Sequence, residues 1–157
     1  MTVQDHPVRM AVLRDFPVRL WLRSQEHNEE LLREFALLLI GERSGELRSA
    51  APGQIVALAD RVNREFGPLL TAVQEERQRA LRQGLDRVDS HIPLVEGAPA
   101  LLDEVHDVLA SADEFCRSAD LLTLPRPRDV VRLFHWTRHE LVVQYAGGEP
   151  TPWPGPF

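Results

Sequence analysis

The sequence predicts an all-α protein, an antiparallel four-helix bundle, on three observations. Apolar residues recur at helical spacing in four separated segments, proline and glycine mark the ends of those segments, and the links between them are short to medium in length. The four helices are expected at about 16–41, 53–85, 95–117 and 127–146. Residues 1–14 read as a flexible leader, 15–146 as one bundle domain, and 147–157 as an extended proline-rich tail.

In the first helix, Leu20, Trp21, Leu31, Leu32, Phe35, Leu38 and Leu39 share one arc, opposite Arg23, Glu26, Glu29, Glu30 and Arg33. Asp15 is placed to cap it, Pro17 suits its first turn and Gly41 its exit. Ser24 and Asn28 fall inside the apolar arc with His27 at its edge, so half of the buried face is chemically mixed. The second helix keeps one phase from Ile55 to Ala80 through Gly67 and Pro68, which predicts a single helix bent at Pro68. Glu76 and Arg77 take core positions in its polar far half, and residues 74–88 are expected to project past the bundle. That tip reads either as a solvated end or as a charged docking surface.

The stretch VDSHIPL breaks the helical period and is expected to be a crossing connection rather than a strand. The third helix buries a stripe from Ala98 to Cys116, with Pro99 tolerated in its opening turn. Leu121, Leu122 and Leu124 are expected to cap an open end of the core. The fourth helix starts near Pro127, with Asp129 favourable against its dipole, and stops at Gly147 and Gly148. Trp153 and Phe157, on the extended tail, either lie back on the bundle or are offered to a partner groove.

Composition narrows the function. All 18 basic residues are arginine, which removes a Walker lysine, a Schiff-base lysine and a lysine-activated serine. The net charge of −6 and the scattered arginines argue against nucleic-acid binding. No apolar run is long enough for a membrane span and the first residues lack a secretory pattern, so a cytoplasmic protein is expected. The single cysteine, Cys116, on an apolar helix face, reads as an inert core thiol.

Bundles often hold metals, and His135 with His139 at i, i+4 is the pair that a DinB-type metal-dependent bundle enzyme would need. The helical wheel points both away from the core, and no paired Glu-x-x-His motif accompanies them, so no metal site and no cofactor are expected. Ser90 beside His91 lacks a third partner for nucleophilic catalysis. The remaining constellation is Trp21, Ser24, His27 and Asn28 facing His106 and Asp113 across two helices. It reads either as a satisfied polar network or as a ligand pocket.

The strings FPVRLWLRSQEHNEELLREFALLLIG, ADEFCRSADLLTLPRP and GGEPTPWP resemble a group of small actinobacterial all-helical proteins. That group is associated with partner-switching regulators, meaning anti-sigma kinase-like ATPases, their antagonists and cognate phosphatases. The resemblance implies a regulatory setting and carries over no functional residues. The expectation is therefore a non-enzymatic regulatory bundle that binds a protein partner, a second copy in a homodimer among the candidates. Glu76, Arg77, Trp153 and Phe157 are its candidate contact residues. The alternatives are a small-molecule sensor using the polar inter-helix patch and the metal-dependent enzyme.

Overall fold

The computed structural model describes residues 9–41, 50–118 and 121–155. Four helices are present, but the chain is mixed α/β rather than all-α. The order is β1 (Met10–Pro17), α1 (Val18–Gly41), α2 (Ala51–Arg82), β2 (Arg87–Pro93), α3 (Ala98–Ser118) and α4 (Arg128–Tyr145). β1 and β2 pair antiparallel, from Met10 opposite Pro93 to Pro17 opposite Arg87.

The sheet corrects three expectations. VDSHIP is a strand and not a connection, Met10–Arg14 is half of a sheet and not a mobile leader, and the first helix begins at Val18. The physical reason is a β-bulge. Leu13 pairs with Ser90 and Phe16 with Val88, so Arg14 and Asp15 together oppose Asp89. Asp15 takes a left-handed φ of 54° and gives its N–H to Asp89 Oδ1 instead of capping the helix. The extra residue spaces the inward side chains Leu13, Phe16 and Leu20 at intervals of a helical period, which disguises a strand as the start of α1.

The outer edge of β1 is also closed. Val12 N–H donates to Gln144 Oε1 and Gln144 Nε2 donates to Val12 O, both at 2.9 Å, so one α4 side chain pairs with the strand as a neighbouring backbone would. Trp153 N–H then donates to Arg14 O at 2.9 Å. The tail lies back on the domain, with Trp153 buried edge-on against Trp136. Glu140, fully buried, anchors it by accepting from Thr151 N–H and Oγ1 and from Gln144 Nε2. The turn into the tail needs glycine at 148, because a Cβ there would collide with Val143 Cγ1 and lie 2.9 Å from Val143 O. Phe157 lies outside the described residues.

α2 runs unbroken through Pro68, and its far half does not project: it packs on β2. Arg77 and Ala80 are buried there. Each helix packs on its sequence neighbours and α4 closes back on α1. Two apolar cores result, at the two ends of α1. One gathers Leu13, Phe16, Val18, Leu20, Trp21, Val130, Leu133 and Trp153 around the sheet; the other gathers Leu31, Phe35, Ile55, Ala112 and Cys116. Cys116 is buried and its thiol pKa is pushed up to about 11, chiefly by desolvation, which disfavours the thiolate. Of the three loop leucines expected to cap the core, Leu121 does pack on it, whereas Leu122 is 95% exposed and Leu124 72% exposed.

Candidate functional site

The mixed stretch of α1, Trp21 to Asn28, falls between the two apolar cores, and there the packing opens into a cavity of about 160 Å³. Trp21, Ser24, Gln25 and Asn28 line it from α1, Arg77 from α2, Leu109 from α3, and Val130, Leu133, Phe134 and Thr137 from α4. Phe16 of β1 and Arg126 of the loop before α4 complete the wall. Among the described residues, two guanidinium groups therefore face the cavity and no acidic side chain does.

Arg126 is buried and held by Asp113. Its backbone N–H donates to Asp113 Oδ1 and its Nε to Oδ2, each at 3.0 Å, while Nη2 lies 2.9 Å from Oδ2. The side chains are only 4% and 7% exposed, so the pair is desolvated and must be mutually satisfied. One group is left over: Nη1 is buried with no hydrogen-bond partner among the described residues. The guanidinium also stands 5.7 Å from the Phe134 ring centre.

Arg77 is held differently. Its Nε donates to Ser90 Oγ at 3.0 Å, and its guanidinium lies 4.0 Å from the Phe16 ring centre and 5.4 Å from that of Trp21. Among the described residues no carboxylate pairs with it. Burial pushes its pKa down to about 10, against the opposing pull of Glu76, so the group remains charged at neutral pH and is held at a cost. Glu76 itself turns outward to His91, accepting from its backbone N–H at 2.8 Å and from Nδ1 at 3.1 Å.

The sequence-predicted residues divide accordingly. Trp21, Ser24 and Asn28 line the cavity, Ser24 giving its hydroxyl proton to Trp21 O at 2.8 Å. Asp113 stands behind the wall and acts on the cavity through Arg126. His27 points elsewhere, its Nε2 donating to Leu124 O at 2.8 Å. His106 is also off the wall, stacked against Phe134 and 5.4 Å from the His135 ring. Of the contact candidates, Arg77 and Trp153 are buried and Glu76 is half-buried. His135 and His139 are exposed, and among the described residues no group of three His, Cys, Asp or Glu side chains is placed to hold a metal ion. Desolvation, then the charges of His106, Arg126 and Arg138, lower the His135 pKa. Arg126 was missed because a loop residue carries no periodic signal. The only hint in the sequence was Asp113 on a buried helix face, which needed a cation from somewhere.

The same loop ties the cavity to the surface. Glu34 of α1 accepts the N–H groups of Leu122 and Thr123 at 2.8 and 2.7 Å, and His27 holds Leu124. Burial works to raise the Glu34 pKa, but hydrogen bonds from Thr123 and Leu122 outweigh it and lower the value. Leu122, with Leu37, lines an open surface depression beside Glu34. No helix is long and apolar enough to cross a membrane among the described residues.

Comparison with protein-family models, curated proteins and solved structures found no match.

Proposed function

We propose that the protein is a non-enzymatic regulatory domain that senses a small molecule and passes the signal to a protein partner. The observation that supports it is the inter-helix cavity with two buried guanidinium groups and, among the described residues, no acidic side chain in its lining. A dry structural network would pair its charges internally, and this one leaves Arg126 Nη1 and the Arg77 charge unmatched. The output is the loop after α3. It carries Arg126 on the cavity and the exposed Leu122 and Leu124 on the surface, so a ligand that moves Arg126 moves an apolar contact surface. A partner-switching setting and a cytoplasmic location accord with this reading.

The test is a thermal-shift screen of charged and neutral metabolites, followed by hydrogen exchange on any hit. The expected result is a stabilising ligand that also slows exchange at Leu122 and Thr123. A screen with no stabilising compound of any charge overturns the sensor reading. A ligand that leaves the loop unchanged overturns the coupling.

A further inference from the structure

Resting on the sensor reading, we propose that the cavity takes a small monocarboxylate: one planar anionic group between Arg77 and Arg126, on an apolar body about the size of a benzene ring.

The charge follows from counting the groups that face the cavity or stand directly behind its wall. Arg126 is neutralised by Asp113, and among the described residues Arg77 has no ion-pair partner and the lining includes no Asp, Glu or His. Glu76 acts on Arg77 only through space, its carboxylate being bonded to His91, so the site holds one positive charge with no ion-pair partner among the described residues, which a single negative charge would pair. A phosphate dianion or a dicarboxylate would bury a second negative charge for which only the already committed Arg126 remains.

The hydrogen-bonding groups point to the same class. Arg77 uses Nε on Ser90, and Arg126 uses Nε and Nη2 on Asp113 but leaves Nη1 open. Planar guanidinium donors match a planar carboxylate, whose two oxygens accept from both arginines. Asn28, Gln25 and Thr137 supply neutral polar groups at the same wall.

Size sets the rest. A cavity of about 160 Å³ is close to the roughly 150 Å³ engineered cavity that accommodates benzene, and well below the volume of a nucleotide or drug-sized site. Leu109, Val130, Leu133 and Phe134 give the body an apolar seat. An aromatic or branched aliphatic acid of about six to nine non-hydrogen atoms satisfies both ends.

The experiment is calorimetry and thermal shift on the full chain with benzoate, cyclohexanecarboxylate and 3-methylbutanoate. Benzamide serves as the neutral isostere, and succinate and inorganic phosphate as dianions. The expected result is stabilisation by monocarboxylates, with benzamide at least about tenfold weaker and the dianions inactive. Arg77→Met should fold with an unchanged or higher Tm and lose the response. Should Arg77→Met fail to fold, Arg77→Lys provides the check, since it keeps the charge without the fork and should weaken benzoate more than benzamide. Equal binding of benzamide and benzoate, or preference for phosphate or succinate, overturns the monocarboxylate assignment and leaves the sensor reading standing. Absence of any binding, here and in the metabolite screen, removes both.

Discussion

Arg126 and Arg77 face one cavity, but their walls are built on opposite terms. On the Arg126 side a buried carboxylate takes the backbone N–H, Nε and Nη2 of the same residue, fixing loop and side chain together. On the Arg77 side the charge meets a hydroxyl and two aromatic faces, with no ion pair among the described residues. The first wall neutralises its own charge and leaves only Nη1 of that guanidinium without a hydrogen-bond partner among the described residues. The second holds a buried charge against a hydroxyl and ring faces alone, and that difference is what the sensor proposal rests on.

The Arg126 wall is most vulnerable at Asp113. Asp113→Ala leaves Arg126 buried and unpaired, and the expected loss is about 3–5 kcal/mol in urea unfolding. Adding Arg126→Met should return much of it, and a double mutant as unstable as the single one would show that the pair is not what holds this wall. The opposite sign is expected on the other side. Arg77→Met combined with Ser90→Ala removes a charge held at a cost together with the hydroxyl it would orphan, and should raise stability by about 1–3 kcal/mol. A loss of comparable size would show that the ring contacts outweigh the burial cost.

Gly148→Ala, far from either wall, should cost about 1–3 kcal/mol through the collision with Val143 and loosen Trp153, read by tryptophan fluorescence. It should leave both arginine substitutions with their signs intact.

The smallest effect is acid sensitivity confined to the Arg126 side. The His135 pKa is lowered in the folded chain, so the unfolded state binds more protons once pH falls below the ordinary value of 6.5. Stability from this group is complete above that pH and lost as pH falls through the folded value. Glu34, also lowered, contributes stability above its ordinary 4.5 that is lost on further acidification. Hydrogen exchange should show Leu122 and Thr123 opening in acid before the Arg77 region does. His135→Asn should remove the first stage alone.

The helices were legible because their apolar stripes are local: α3 and α4 begin and end within three residues of the expected bounds, and α2 does so as well. The sheet was not, because its partners, such as Leu13 and Ser90, are brought together only by two intervening helices, and because the bulge at Arg14–Asp15 imitates helical spacing. The same distinction holds at the cavity. Trp21, Ser24 and Asn28 announced themselves as a polar break in one helix face. Arg77 stood at a core position yet read as part of an exposed tip, since the rings and hydroxyl that receive it come from β1, α1 and β2.

The closed edges of β1 bear on how the chain reaches this state. The strand is paired on one side by β2 and on the other by Gln144 and the Trp153 amide, none of them a neighbour in sequence. A mostly helical domain of this length would ordinarily fold quickly through local contacts, but here the sheet cannot form until α1 and α2 have brought β2 back, nor be sealed until α4 and the tail arrive. The loop-closure entropy of those steps falls before their reward. Folding should therefore be slower than the helix content suggests, with β1 protected last and the helices first.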